Sequence, residues 1–239
     1  MQEIWLSDAD GANLKQLTSF GKGKATHPRW SPDGRQIAFD AYPNARTTIY
    51  VTTSEGGLLR PLTNEQYNSV APAWSADGNH IYFGSDRSGT WQIWKIPASG
   101  GEAVQITHNG GYEARESADG KFLYYNKAEY NTFGLFRLPT TGGEETKLLD
   151  LPQLGSVGDC FLTTKGVYFI HRYDAPNQPT ARPSVKFFDF ASNQISDVAP
   201  LPKDPTSDPG LSLSPDGAWL YYSIQDSVSY DIMLIENFR

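Results

Sequence analysis

The chain has 239 residues, a formal net charge of −7 and one cysteine, Cys160. An acidic surface repels the phosphate backbone, so nucleic acid is not an expected partner, and a single cysteine excludes an internal disulfide and a thiolate metal cluster. No stretch reaches the roughly 18 to 20 apolar residues of a bilayer span, and no basic segment favours direct membrane contact. The 6 Trp, 13 Tyr and 12 Phe residues, with 22 Gly and 16 Pro, favour many short strands separated by turns.

The first recurring element is a pair of apolar segments around a glycine. Ile4 is followed after seven residues by Gly11 and after thirteen by Leu17. The same spacing returns three times, at Ile49, Gly56 and Leu62, at Ile93, Gly100 and Ile106, and at Leu135, Gly142 and Leu148. Because glycine permits a tight reversal between two strands, the pattern predicts a hairpin at each place.

A second motif, Ser-Pro-Asp-Gly or Ser-Ala-Asp-Gly, alternates with this hairpin along the chain. These residues suit a type I turn closed by a left-handed residue, so each copy predicts a tight antiparallel hairpin with positive φ at its glycine. We interpret the aspartates as turn residues and not as a metal ring. The predicted turn residues are Asp33, Gly34, Asp77, Gly78, Asp119, Gly120, Asp216 and Gly217. A divergent copy has Lys165 in place of the aspartate.

Together the two hairpins give four short strands in each unit of 42 to 51 residues. Four-stranded units of this length are typical of the blades of a β-propeller. A solenoid of paired helices is disfavoured because no segment keeps a 3.6-residue apolar period, and a sandwich would not need such regular units. The prediction is an all-β propeller, one domain over residues 1–239 that is either complete or an excised or engineered segment of a larger propeller.

The segments Trp30-Ser31-Pro32-Asp33-Gly34, Ile37-Ala38-Phe39, Ile49-Tyr50-Val51, Gly56-Gly57 and Leu62-Thr63 resemble the TolB-like β-propeller repeat. The resemblance extends from Ile4 to Ile235 and implies a propeller fold in a periplasmic or other extracytoplasmic location. The repeat occurs in periplasmic envelope proteins, in gating domains of prolyl-oligopeptidase-type peptidases and in extracytoplasmic parts of membrane-bound winged-helix regulators. The C-terminal stretch 231–239 looks most like the last group.

The number of inner hairpins predicts five blades. The last blade has three strands of its own, near residues 211–213, 218–223 and 231–235, and we expect Leu14–Thr18 to supply its fourth strand. Strands from both termini would then close the propeller and remove its exposed edges. Ile4–Ser7 repeats a third-strand position that the C-terminal segment already fills. We therefore expect Ile4–Ser7 to fray or to pair with another chain, as in a homo-oligomer formed by strand exchange.

Polar residues near the start of the first strand of each blade are candidates for a ligand site at the rim of the predicted channel. His27 and Arg29 hold these places in the first copy, and Glu113 and Arg115 hold them in the third. The alternative is a solvated channel without a ligand. No catalytic residue, metal ligand or cofactor is predicted, because the sequence has no Gly-x-Ser-x-Gly elbow, phosphate-binding glycine loop or histidine pair at metal-ligand spacing.

These patterns favour a non-catalytic binding or scaffold module for a protein or peptide partner, one form of which is the sensor part of a larger regulator. Two alternatives are left open by the residues. One is a propeller enzyme of lyase or hydrolase type with a polar channel site, and the other is an engineered or truncated propeller with no function beyond folding. The fold alone does not choose among them, because propellers carry many unrelated functions.

Overall fold

A computed structural model of the chain describes residues 2–8, 10–21, 23–127, 134–150, 160–171, 183–203, 210–214, 217–226 and 229–236. These residues form β-strands and turns and contain no helix, so none of them belongs to a helix that crosses a membrane. Within each sheet, every strand pairs with its neighbour along the chain, so the strand order across the sheet follows the chain order. Short connections between sequential strands produce this arrangement.

The chain begins with a two-stranded sheet of β1 (Trp5–Leu6) and β2 (Lys15–Gln16). Four four-stranded sheets follow, which we call blades 1 to 4. Blade 1 holds β3 (Lys24–Trp30), β4 (Gln36–Tyr42), β5 (Thr48–Thr53) and β6 (Arg60–Pro61). Blade 2 holds β7 (Ser69–Trp74), β8 (His80–Ser85), β9 (Gln92–Pro97) and β10 (Val104–Gln105).

Blade 3 holds β11 (Ala114–Glu116), β12 (Phe122–Asn126), β13 (Gly134–Pro139) and β14 (Thr146–Asp150). Blade 4 holds β15 (Cys160–Leu162), β16 (Gly166–His171), β17 (Ser184–Asp189) and β18 (Gln194–Pro200). The last sheet has three strands, β19 (Ser212–Leu213), β20 (Trp219–Asp226) and β21 (Ser229–Glu236).

The chain divides into two compact units. The first comprises Met1–Glu129 and Phe136–Thr146, and the second comprises Tyr130–Leu135 and Lys147–Arg239. The core of the first unit lies between successive sheets, where apolar side chains of one blade pack on the next. The second unit has its own apolar cluster, centred on Ile170, Val185, Leu201, Leu220 and Tyr222. The single domain over residues 1–239 stays a prediction.

The Asp-Gly turns are held by the serine that precedes them. In blade 2, Ser75 Oγ donates to Asp77 Oδ1 at 2.5 Å, and the N–H of Gly78 donates to the Ser75 carbonyl at 2.9 Å. The hydrogen bonds from the Ser75 hydroxyl and the Asn79 N–H lower the pKa of Asp77 to about 2. The turn glycines adopt φ between +68° and +71°, at Gly34, Gly78, Gly120 and Gly217. Asp216 lies outside the described residues.

Gly34 isolates the conformational requirement of this turn, because a Cβ added there meets no atom within 4 Å. We expect Gly34→Val to lower the free energy of unfolding by about 1 to 2 kcal/mol, since a β-branched residue is strongly disfavoured at positive φ. Gly34→Asn should cost much less, because asparagine tolerates that conformation. Chemical denaturation of both variants measures the difference, and equal midpoints would contradict the bulged-hairpin interpretation.

A threonine accounts for the fixed spacing in three of the four hairpins, those that begin at Ile4, Ile49 and Ile93. The N–H of the first apolar residue donates to the hydroxyl of a buried threonine fourteen residues later, at 2.9 to 3.0 Å, in the pairs Ile4–Thr18, Ile49–Thr63 and Ile93–Thr107. Such a bond satisfies a buried backbone donor and attaches the fourth strand of a blade to the third. Changing the spacing by one residue would separate the donor from the hydroxyl.

The strand pairing corrects three predictions, about the number of blades and about the two termini. Four complete blades are present in the described chain instead of five, and the last sheet has only β19–β21. Leu14–Thr18, predicted to complete that sheet, supplies β2, which pairs with β1. The pairing is local and therefore costs less loop-closure entropy than a partner at the far end of the chain. Ile4 is buried and bonded to Thr18, so the prediction that Ile4–Ser7 frays is also wrong.

Candidate functional site

The first strands of blades 1, 2 and 3 lie against one another within the first unit, β3 against β7 and β7 against β11. His27 and Arg29 lie in β3, whereas Glu113 immediately precedes β11 and Arg115 lies in it. The four predicted site residues are therefore carried by neighbouring strands of one unit. That they line a central channel stays a prediction.

A β-bulge in β3 sets the direction in which the His27 side chain points. The register of β3 with β4 shifts between Thr26 and Arg29, and that of β7 with β8 shifts between Val70 and Ala73. His27 has φ +50° and Ala71, its counterpart in blade 2, has φ +51°. Left-handed backbone costs a residue with a Cβ about 1 to 2 kcal/mol, so other contacts must stabilise both bulges.

The Asp40 carboxylate supplies those contacts. It lies in β4, is 1% exposed and accepts hydrogen bonds from the Thr26 hydroxyl, from His27 Nδ1 at 2.9 Å and from the N–H of Ala71 at 2.7 Å. A buried carboxylate is tolerated where hydrogen bonds satisfy it. Asp40 thus connects both bulges and joins blade 1 to blade 2.

The other side of the His27 ring faces blade 3. His27 Nε2 lies 3.9 Å from Glu113 Oε1, although all of blade 2 separates the two residues in the chain. Glu113 is buried, and its backbone is fixed because its N–H donates to Asn126 Oδ1 at 2.9 Å and its carbonyl accepts from the Asn126 N–H at 3.1 Å. A protonated His27 would lie between two buried carboxylates, Asp40 and Glu113.

Arg29 and Arg115 are partly exposed and differ from this pair in their described contacts. Arg29 Nη1 donates to the Pro28 carbonyl at 3.0 Å, and Arg115 Nη1 reaches the Ala114 carbonyl at 3.5 Å. The Arg29 carbonyl accepts from the indole N–H of Trp74 at 3.0 Å, which again joins blade 1 to blade 2. The structure thus brings His27 and Glu113 into direct contact, and it places the two arginines further along the same strand segments.

Asp40 is the site residue that the sequence analysis missed. It interrupts the apolar run Ile37-Ala38-Phe39-Asp40-Ala41, where the other copies have no acidic residue. An acidic residue inside a buried strand needs hydrogen-bonding partners, and that was the available signal. The arrangement offers charged groups of both signs but, in the part of the chain that the structure describes, no three His, Cys, Asp or Glu side chains are placed to hold a metal ion.

A cleft of about 630 Å³ lies between the loops of blade 2 and the start of blade 3. Trp91, His108, Asn109 and Lys127 contribute to its walls. The Trp91 ring meets Tyr112 edge to face at 4.9 Å, and Tyr112 directly precedes Glu113. Lys127 Nζ is paired with Glu145 Oε1 at 2.5 Å, so its charge is compensated. The cleft is therefore lined by the segment that leads through Tyr112 towards Glu113, but not by His27 or Glu113.

Curated proteins with similar sequences match parts of the chain. The Tol-Pal system protein TolB of Anaeromyxobacter dehalogenans is 42% identical over 105 residues, which cover 44% of this chain and 24% of that protein. The uncharacterized peptidase YuxL of Bacillus subtilis is 44% identical over 80 residues, 33% of this chain and 12% of that protein. The chain thus matches well under two thirds of the length of these relatives.

Solved structures show the fold. TolB from Acinetobacter baumannii superposes with a TM-score of 0.79 at 22% identity, over 98% of this chain and 57% of that one. These likenesses show that the fold is an all-β propeller fold. The sequence profile of the TolB beta propeller domain matches residues 1–153, well over half of the chain. The chain therefore belongs to the TolB beta propeller domain family.

Proposed function

We propose that the chain is a non-catalytic module that binds a segment of a protein partner at the cluster of His27, Arg29, Glu113 and Arg115. The observation that carries the proposal is the approach of His27 Nε2 to Glu113 Oε1, at 3.9 Å, across three successive blades. Strained backbone at His27 and a buried carboxylate on each side of its ring are costly features, and such features concentrate at binding sites.

The two arginines of this cluster are more exposed than its two carboxylates. Asp40 and Glu113 are buried, whereas Arg29 and Arg115 are partly exposed. Guanidinium groups bind carboxylates with directional, charge-assisted hydrogen bonds. The proposed partner segment therefore presents acidic side chains or a chain-terminal carboxylate, even though the protein as a whole carries a net charge of −7.

The relatives support a protein-binding role outside the cytoplasm. The matched curated proteins include several named as TolB of the Tol-Pal system, and the TolB-like repeat is typical of periplasmic envelope proteins. A partner protein in an extracytoplasmic compartment is part of the proposal, with the sensor part of a larger regulator as one form of it.

Two labelled peptides of equal length, one alternating Glu and Gly and the other Lys and Gly, test the proposal by fluorescence anisotropy. We expect the acidic peptide to bind in spite of the net negative charge, and Arg29→Ala or Arg115→Ala to weaken binding about tenfold, since charged hydrogen bonds are each worth at least about 1.5 kcal/mol. Arg35→Ala is the matched control, because the Arg35 side chain is 85% exposed on a turn. Equal loss in all three variants, or preference for the basic peptide, would contradict the proposal.

A second candidate is the propeller domain of a peptidase. The match to the uncharacterized peptidase YuxL and the fold shared with prolyl endopeptidases favour it. In that role the cluster of His27, Arg29, Glu113 and Arg115 would control the access of a peptide to a separate catalytic domain. Co-expression with such a domain and assay of peptide-length selectivity would distinguish it, because the Arg29→Ala change would alter selectivity instead of simple binding.

A further inference from the structure

The cleft beside Trp91 lies at the junction between blades 2 and 3, and the junction between blades 1 and 2 repeats its backbone. At the later junction, the N–H of Gly111 donates to the Trp91 carbonyl at 3.1 Å. At the earlier junction, the N–H of Ser69 donates to the Thr47 carbonyl at 2.8 Å. Gly111 therefore takes the place of Ser69, and the tryptophan takes the place of Thr47.

The loop that leads into the later junction is two residues shorter than its counterpart. Both loops begin after the threonine that binds the third strand, which is Thr63 in blade 1 and Thr107 in blade 2. Five residues separate the first of them from Ser69, whereas three separate the second from Gly111. The shorter loop leaves space at the junction between blades 2 and 3, and the cleft of about 630 Å³ lies there.

A side chain that fills the earlier junction is absent from the later one. Asn68 Oδ1 accepts from the Thr47 N–H at 3.3 Å, and Asn68 Nδ2 donates to Asp86 Oδ2 at 2.7 Å. One carboxamide thus joins the backbone of blade 1 to a carboxylate of blade 2. Gly110, directly before Gly111, holds the place of Asn68 and has no side chain to do the same.

The Trp91 N–H is the donor that this difference leaves without a partner. The N–H of Ile93 donates to the Thr107 hydroxyl, so the alternation of an antiparallel strand directs the Trp91 N–H to the same side, towards the loop and away from β8. The Trp91 carbonyl is bonded to Gly111, but none of the residues that the structure describes accepts from the Trp91 N–H. Because Trp91 lines the cleft, a strong backbone donor lies at the wall of a cavity large enough for a small ligand.

The walls of the cleft suit an uncharged group that has both apolar and polar parts. The Trp91 ring forms an apolar wall that an edge-to-face contact holds in place. Thr90 and Asn109 are exposed at the rim and offer a hydroxyl and an amide. Lys127, which also lines the cleft, has its Nζ bonded to Glu145 Oε1 at 2.5 Å, so its charge is compensated. The cleft therefore favours a neutral ligand over an anion.

We propose that this cleft binds the acetamido group of a small neutral ligand. The acetamido oxygen accepts from the Trp91 N–H, as the Asn68 carboxamide accepts from the Thr47 N–H at the earlier junction. The acetamido methyl group packs on the Trp91 ring, and the rest of the ligand bonds to Thr90 and Asn109 at the rim. This site goes beyond the proposed function, because no member of the four-residue cluster proposed to bind a protein partner lines the cleft.

The experiment follows the backbone amide resonance of Trp91 in proton–nitrogen correlation spectra of the full chain while N-acetylglucosamine is added. We expect a saturable shift of this resonance. Glucose, which has a hydroxyl in place of the acetamido group, should bind at least about tenfold more weakly, because the hydrogen bond to the Trp91 N–H is lost.

N-acetylglycinamide carries the acetamido group without a sugar and distinguishes the two sources of this group. Binding as tight as that of N-acetylglucosamine would assign recognition to the acetamido group alone. Weaker binding would assign it to the acetamido group together with the sugar hydroxyls. Both results require the acetamido group and support the proposal.

Three variants test the residues that carry the proposal. Trp91→Ala keeps the backbone N–H but removes the apolar wall, and it should weaken binding about tenfold. Trp30→Ala is the matched control, because Trp30 is an exposed tryptophan outside the cleft, and it should leave binding unchanged. A loop exchange that puts the sequence of residues 64–68 in place of residues 108–110 supplies a carboxamide from the protein itself and should abolish binding.

Four results would overturn the proposal. Three of them are the absence of a saturable shift with N-acetylglucosamine, equal binding of glucose, and full binding by the loop-exchange variant. The fourth is a loss of binding in Trp30→Ala as large as that in Trp91→Ala, which would place the sugar outside the cleft. Protection of the Trp91 amide from hydrogen exchange in the free protein would also contradict it, because the chain itself would then supply the acceptor.

Discussion

Asp40→Ala is expected to lower the free energy of unfolding of the first unit by about 3 to 5 kcal/mol, the range found when one partner of a buried charged network is removed. The substitution leaves the buried N–H of Ala71 without its acceptor at 2.7 Å and removes the partner of His27 Nδ1. Both bulges then keep a left-handed backbone without the carboxylate that links and stabilises them. Thermal denaturation should show a fall of about 10 °C in the melting temperature.

Two further substitutions separate the charge of Asp40 from its hydrogen-bonding geometry. Asp40→Asn keeps an oxygen for the Ala71 N–H and should lose less than half as much stability. Asp33→Ala removes a turn aspartate that also accepts a backbone N–H, at 3.1 Å from Arg35, but is 60% exposed. It should cost much less stability than Asp40→Ala, because solvent screens an exposed carboxylate. If Asp40→Ala melts no lower than Asp33→Ala, the hydrogen bonds by which Asp40 joins blades 1 and 2 do not contribute to stability.

The local elements could be predicted from the sequence because their causes are local. The left-handed φ at Gly34 follows from the turn, which involves five consecutive residues. The hairpin from Ile49 to Thr63 follows from one hydrogen bond at a fixed separation. Repetition of these two patterns was sufficient to predict successive four-stranded antiparallel sheets.

Long-range features could not be predicted in the same way. Two strands could have paired with β2, the nearby β1 and a strand of the last sheet. Pairing with β1 costs less loop-closure entropy. The approach of His27 to Glu113 depends on the angle between three blades, which no spacing in the sequence records. The role of Asp40 depends on the Ala71 N–H, thirty-one residues away, so the sequence showed only that an acidic residue interrupts an apolar strand.

In the next blade, the residue that matches Asp40 has little space for a side chain. Gly84 holds the matching place in β8, six residues after its turn glycine. A Cβ added there would lie 2.2 Å from the Tyr112 carbonyl oxygen and 3.3 Å from Val70 Cγ2. At one junction the side chain reaches across to the next blade, and at the other the backbone of the next blade occupies that space.

Gly84→Ala is therefore expected to destabilise the first unit by about 3 kcal/mol or more, at the upper end of what overpacking of a core costs. The Tyr112 carbonyl cannot move aside, because the N–H of Tyr112 donates to the Asn126 carbonyl at 3.0 Å and the next residue, Glu113, is bonded to the Asn126 side chain. Gly34→Ala is the control, since its Cβ meets no atom within 4 Å and only the positive φ disfavours alanine there, which costs about 1 kcal/mol.

Displacement of Tyr112 also moves Glu113 away from His27, so binding of the acidic peptide should weaken in folded Gly84→Ala and not in Gly34→Ala. Equal melting temperatures for the two variants would mean that the blade 2–blade 3 junction is looser than the 2.2 Å approach implies.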